Sequence, residues 1–236
     1  MAKSVQGSYV AAARGARSAA AKVGLLKRLE SSDRHWAQHA RTLFAIHDVD
    51  DLASLDYPWW VYEAIDRADA FLESRGGKAR VFEYGSGAST MWLARRSAEV
   101  YSVEHHDGFS ALMTRKVADL PHVSLRHVPP AIVTAGVPAT PSQRKGHENM
   151  DFTDYVHAID AVDGEFDLIV VDGRAREACL AHAAPRLVHD GLLVFDNCNR
   201  KRYHEALDAS GMNVEIIRGA APCLPYRAAT ALLTNK

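Results

Sequence analysis

The sequence predicts an α/β protein: a mostly parallel, seven-stranded sheet with helices on both faces. Three observations carry that prediction. From about residue 80 onward, short apolar segments rich in β-branched and aromatic residues alternate with segments whose apolar residues recur at helical spacing. The segment 166–171 is apolar nearly throughout, as a strand covered on both faces requires. Between the first such strand and the first such helix lies Glu83-Tyr84-Gly85-Ser86-Gly87, a glycine turn of the kind that lets backbone N–H groups at a helix start approach a ligand.

The elements follow in order. Residues 31–47 and 58–75 have helical apolar spacing; Pro58 reads as a first-turn proline of the second helix, and Gly76-Gly77 as its stop. The first strand is 81–84 with its helix at 90–97, and the second is 100–104 with a helix at 107–120. The third strand is 123–128. The fourth is 166–171 with a helix at 174–188, and the fifth is 192–195 with a helix at 203–209. The last two strands, 214–217 and 229–233, are joined by a Gly/Pro-containing link with no helix-length insert, so they are expected to pair antiparallel. The long stretch 129–164 carries Pro129, Pro130, Pro138, Pro141 and Gly146, then a helical patch at 152–159. It reads equally well as a substrate-side loop and as a variable surface insertion. The domain plan is a basic helical extension, 1–57, ahead of one ligand-binding domain, 58–236.

Bulk composition narrows the function class. The 236 residues are 24% charged and 47% hydrophobic with a formal net charge of -1, which fits a folded domain and gives no reason to expect a nucleic-acid surface. No apolar run approaches the length of a membrane span. Cys179, Cys198 and Cys223 are too widely spaced for a zinc motif or a disulfide framework, so a reducing, cytoplasmic setting is expected. The first residues stand apart: Lys3, Arg14, Arg17, Lys22, Lys27 and Arg28 precede the first acid, Glu30. A transit peptide or a membrane-surface helix has this look, but strong apolar anchors are few, and a helical extension packing on the domain or a partner is favoured. A homo-oligomer is compatible with the sequence and is not specified by it.

The chemistry concentrates at the strand ends. A dinucleotide fingerprint needs a third glycine where this chain has Thr90. Glu104, closing the second strand, suits ribose hydroxyls in any nucleoside cofactor, through charge-assisted bonds of about 1.5–3 kcal/mol each. Glu83 discriminates. Under the glycine turn its carboxylate would repel a pyrophosphate but would help hold, directly or through water, the cationic amino-acid end of S-adenosyl-L-methionine.

Glu83-x-Gly85-x-Gly87, Glu104, Asp172 after the fourth strand and the terminal strand pair together resemble a class I S-adenosylmethionine-dependent methyltransferase over most of the chain. The wording around Glu83-Tyr84-Gly85-Ser86-Gly87-Ala88-Ser89-Thr90, Ser102-Val103-Glu104-His105 and Val171-Asp172-Gly173-Arg174 is similar to bacterial methyltransferase-like proteins. The resemblance implies a Rossmann-like sheet of order 3-2-1-4-5-7-6 with the last strand antiparallel. It implies a cofactor site at Glu83, Tyr84, Gly85, Ser86, Gly87, Ser89, Thr90, Glu104, His105 and Asp172. Asp172 with Asp196-Asn197 also resembles the metal site of catechol- and caffeoyl-CoA-type O-methyltransferases, which implies Mg²⁺ or another divalent ion on Asp172, Asp196 and Asn197. Hard oxygen donors of this kind suit such an ion. The lysine that those enzymes place three residues after the first Asp is Ala175 here, flanked by Arg174 and Arg176, which stay protonated and suit anion clamping better than base catalysis. The bland alternative is that Asp196-Asn197 caps a helix.

His105 and His106 follow Glu104 directly, so one of them is a candidate adenosine contact or proton acceptor. His147, His157 and Tyr155 lie in or beside the long loop within reach of a substrate, and Trp59, Trp60 and Tyr62 read first as core packing. His35 and His39 form an i,i+4 pair with no third ligand. The expected activity is transfer of a methyl group to an oxygen of a small hydroxylated acceptor, with Asp172, Arg174 and His106 as candidate catalytic groups. The alternatives are an NAD-dependent oxidoreductase and a non-catalytic cofactor-binding protein.

Overall fold

The computed structural model describes residues 22, 24–31, 35–45 and 53–236. Of the basic extension it shows α1 (Leu25–Glu30) and α2 (His35–Thr42), the latter prolonged by a 3-10 turn, Leu43–Ala45. Of the basic residues expected to touch a membrane or partner, Lys3, Arg14 and Arg17 lie outside the described residues, as does the side chain of His35. The Thr42 hydroxyl donates to the His39 carbonyl at 2.8 Å and accepts from the Cys223 N–H at 3.2 Å, which ties α2 to the segment before the last strand. No helix among the described residues is long and apolar enough to cross a membrane.

The next helix, α3 (Tyr62–Ser74), starts four residues after Pro58, so Pro58 is not its first-turn proline. The reason is tertiary. The N–H of Val61 donates to the Thr230 hydroxyl at 3.1 Å and that of Tyr62 to the Ala220 carbonyl at 3.1 Å, which holds the approach to α3 against the sheet and drives Trp60 into the core. The sheet strands and their helices then alternate: β1 (Arg80–Tyr84), α4 (Ala88–Ala94), β2 (Glu99–Glu104), α5 (Asp107–Val117) and β3 (Val123–His127). The long loop is less irregular than its prolines suggest. It contains a short hairpin, β4 (Ala131–Ile132) and β5 (Met150–Asp151), then α6 (Thr153–Val156) and a 3-10 turn, His157–Ala161. The Asp151 carboxylate closes its base, accepting from the N–H of Ala139 at 2.6 Å and of Thr153 at 2.8 Å.

The second half comprises β6 (Phe166–Val171), α7 (Arg176–Ala183), β7 (Leu187–Asp196), α8 (His204–Ala209), β8 (Asn213–Gly219) and β9 (Ala228–Thr234). β7 begins five residues earlier than its apolar core suggests, because Pro185 turns the end of α7 into a 3-10 segment and Leu187 then pairs with Phe166. The sheet runs β3-β2-β1-β6-β7-β9-β8 with β9 antiparallel to both neighbours, which is the expected order once the hairpin strands are left out of the count.

Strand alternation distributes the core. Val81, Leu168, Val170 and Val194 face Trp60, Trp92 and α3, while Phe82, Tyr84, Ile169, Val171 and Phe195 face Tyr155, α7 and α8. Asp167, the one acid inside the β6 run, sits at its first turn into the sheet and accepts the Arg80 N–H at 2.8 Å.

The strand order reverses at β1, which lies between β2 and β6 and parallel to both, so the connections after β1 and β6 leave to opposite sides and open a crevice at the carboxyl edge. Their backbones nearly touch. Gly85 has φ +99°, and a Cβ there would lie 2.8 Å from Gly173 Cα. A Cβ on Gly173 would lie 2.0 Å from the Tyr155 hydroxyl oxygen. Gly173→Ala should therefore destabilise the protein by about 1–3 kcal/mol or more. Adding Tyr155→Phe should restore part of the loss, since it deletes the colliding atom; urea unfolding of the single and double variants is the measurement.

Candidate active site

The glycine turn is braced from beneath. Glu83 projects from β1 into a completely buried position and accepts hydrogen bonds from the hydroxyls of Thr90 at 2.6 Å, Ser102 at 2.6 Å and Ser89. Thr90 also accepts the Gly87 N–H at 2.9 Å, and Ser86 shares a 2.9 Å hydroxyl bond with Ser102. Burial pushes the Glu83 carboxyl up to about 7, against the opposing pull of those three hydroxyls. Ser102 enters this brace from the neighbouring strand β2, 19 residues along the chain from Glu83.

A cavity of about 410 Å³ opens above the turn, lined by Gly85, Ser86, Gly87, Ser89, Glu104, His105, His106, Asp172 and Arg174. Three expected cofactor residues are not on its wall. Glu83 and Thr90 spend their side chains on each other, and Tyr84, on the opposite face of β1, donates to the Val156 carbonyl at 2.7 Å. These act on a ligand only through the turn they hold.

Glu104 is on the wall and nearly buried. Its Oε1 accepts the N–H groups of His105 at 2.9 Å and His106 at 2.8 Å, with His105 Nδ1 also 2.8 Å away. Its other oxygen takes part in no hydrogen bond among the described residues. His106 caps α5: its Nδ1 accepts the Phe109 N–H at 3.3 Å.

Asp172 stands on the border between this cavity and a second one of about 500 Å³, which Asp196, Asn197, Asn199, Arg200 and Tyr226 also line. Trp59 and Arg144 line both as well. The three expected metal ligands are thus brought together at the ends of β6 and β7, but with other partners. The Asp172 Oδ1 accepts from Arg176 at 2.6 Å, and the Asp196 oxygens accept from the Thr230 hydroxyl at 2.7 Å and from the Asn197 amide. Arg176 is buried and also donates to the backbone carbonyls of Asp172 at 2.6 Å, Gly173 at 3.1 Å and Asp196. It is a cross-brace, which corrects its reading as a substrate clamp. Arg174 donates to the Gly173 carbonyl at 3.1 Å and stays on the cavity wall. Burial raises the Asp172 carboxyl pKa, with Arg176 and Arg200 pulling the other way, and burial beside Asp172 pushes Asp196 up to about 7.

The sequence pointed only weakly to Trp59 and His147, and not at all to Arg144 and Phe109, all of which line the first cavity. Arg144 and His147 come from the long loop, and no motif precedes them. His147 packs on Phe152 and His105, and burial lowers its pKa.

Glu83 generates a pH dependence of stability. Its folded pKa of about 7 lies above the unfolded value near 4.5, so below about 4.5 it imposes no penalty. As pH rises from about 4.5 to 7 the unfolded state ionises first and stability falls, by on the order of 3 kcal/mol in all. Glu83→Gln should show a flatter stability profile than the unchanged protein between pH 5 and 8, as measured by denaturant unfolding at each pH.

Residues 82–198 match the family model described as a methyltransferase domain. No curated protein matches the chain. Among solved structures, an rRNA methylase from Streptococcus thermophilus superposes with a TM-score of 0.50 at 10% identity, over 73% of this chain and 96% of that one. A methyltransferase-like protein from Silicibacter pomeroyi is 24% identical, with a TM-score of 0.43, over 72% of this chain and 86% of that one. A Streptococcus mutans protein in complex with SAH is 11% identical with a TM-score of 0.49, over 72% of this chain and 96% of that one. The glycine turn, Glu104 and the strand-end Asp172 all lie within residues 82–198, the part of the chain that is similar to a methyltransferase domain.

Proposed function

We propose that the protein transfers a methyl group from S-adenosyl-L-methionine to an oxygen of a small hydroxylated acceptor. The observation that carries this reading is the pair of cavities meeting at Asp172, one floored by the glycine turn and Glu104, the other open toward Asn197 and Arg200. A methyl donor in the first and an acceptor in the second would place their reacting atoms on either side of that boundary. Aligning the two substrates is most of the catalytic task, because the sulfonium already activates the methyl group.

In this reading the free oxygen of Glu104 takes the ribose hydroxyls, and His105, His106 and Phe109 wall the adenosine. Arg174 neutralises the carboxylate of the amino-acid end. Bound there, the sulfonium would supply an activated methyl group with a neutral thioether as its leaving group, and Asp172 would receive the proton given up by the attacking acceptor oxygen. Its raised pKa suits it to that role. Arg144 and Arg200 at the second cavity favour an acceptor that also carries negative charge.

The residues do not fit a divalent ion as they stand. Arg176 already supplies a buried positive charge against Asp172, and both oxygens of Asp196 have donors. No step is therefore routed through a metal. Activity should survive exhaustive chelation and show no dependence on added Mg²⁺; loss on chelation with Mg²⁺ rescue would restore the metal-assisted route.

The rival readings differ in cofactor. The place of the third dinucleotide glycine is filled by Thr90, whose hydroxyl is part of the Glu83 brace, and a pyrophosphate above a buried carboxylate would be repelled. Calorimetry should find S-adenosyl-L-methionine binding far tighter than NADH. Glu104→Ala should weaken it about 10- to 100-fold; equal affinity in the variant removes Glu104 from the site. A chain that binds the cofactor but turns over no hydroxylated acceptor would favour the non-catalytic alternative.

A further inference from the structure

We propose that His157, Asp160 and His182 form a binding site for a divalent transition-metal ion of the zinc class. None of the three lines either cavity of the methyltransferase site. His157 and Asp160 are three residues apart in the 3-10 turn His157–Ala161, where side chains at that spacing lie directly above one another. His182 comes from the last turn of α7.

Two imidazoles from different elements converge on one carboxylate oxygen. His157 Nδ1 and His182 Nε2 each lie 2.9 Å from Asp160 Oδ2, and His182 Nε2 is 3.1 Å from Oδ1 as well. The ring centroids stand 4.1 Å apart, and the candidate ligand atoms all lie within 4.8 Å of one another. Two atoms bound to one tetrahedral Zn²⁺ at about 2.0–2.1 Å stand about 3.3–3.4 Å apart, so a few tenths of an ångström of opening would admit the ion. Two nitrogens and one oxygen suit zinc, cobalt or nickel and not Mg²⁺ or Ca²⁺, which take oxygen sets. The side chains are 55%, 48% and 28% exposed for His157, Asp160 and His182, so an ion can enter and water can complete its shell.

Among the described residues, Arg186 stands beside the cluster as a cation, 3.7 Å from Asp160 Oδ1. Its guanidinium is committed to the carbonyls of Ile159 at 3.1 Å, Val162 at 2.5 Å and Gly164, which leaves Oδ2 as the ligand oxygen. A bound ion would staple the end of the long loop to α7. That junction sits two residues after Tyr155, whose ring packs under Gly173.

The test uses the untagged full-length chain, stripped of metal by a chelator. Titration with Zn²⁺ by calorimetry, and with Co²⁺ by visible absorption, should show one site per chain. His157→Ala and His182→Ala should each weaken that site about tenfold or more and abolish the Co²⁺ band, while the exposed control His204→Ala leaves both unchanged. Zn²⁺ should also raise the thermal unfolding midpoint of the unchanged protein and not of His182→Ala. Absence of one-to-one binding, or binding indifferent to His157→Ala and His182→Ala, overturns the proposal and leaves a hydrogen-bonded cluster.

Discussion

The buried guanidinium of Arg176 holds the carboxyl edge of the sheet together. It donates to the carbonyls of Asp172, Gly173 and Asp196 and to the Asp172 carboxylate, so the ends of two adjacent parallel strands are fixed to the first turn of one helix. A charge enclosed to this degree is costly unless every donor is used. Here most of its capacity goes to backbone oxygens that would otherwise point unpaired into the interior. Asp172 is consequently held in one place, and it is the residue on which the two cavities meet.

A second buried charge site does the same for the opposite wall. Glu83 gathers three hydroxyls from α4 and β2, and Thr90 passes the constraint on to the Gly87 N–H. Between these two braces a Cβ on Gly85 would collide with the Gly173 backbone and one on Gly173 with the Tyr155 hydroxyl, so neither position tolerates one. The crevice is thus a consequence of two polar clusters beneath it and not of the glycines alone. The glycines permit the approach; the carboxylate and the guanidinium enforce it.

Much of the site was legible before folding. Gly85, Ser86, Gly87, Ser89, Glu104, His105, His106, Asp172 and Arg174 all line the first cavity. Glu83, Tyr84 and Thr90 do not, although they belong to the same motif, because strand alternation sends Glu83 and Tyr84 to opposite faces and the hydroxyls of Ser89, Thr90 and Ser102 close over the carboxylate. Asp196 and Asn197 were correctly placed beside Asp172, but Thr230, which takes one Asp196 oxygen, lies 34 residues away and carries no motif. Arg144 reaches the cavity from the same long loop as His147, but of the two only the histidine stood out by its residue type.

What the amino-acid sequence determined by itself is local and periodic: the alternation of strands and helices, the glycine turn, and the acids that end β2, β6 and β7. Those features follow from side-chain spacing and backbone freedom within a few residues, and they sufficed for the sheet and its antiparallel finish. Only the tertiary structure decided which polar groups face a ligand and which face each other. Desolvation compels each buried donor and acceptor to find a partner, and the partner for Glu83, Asp172 or Asp196 is supplied by whichever element packs against it.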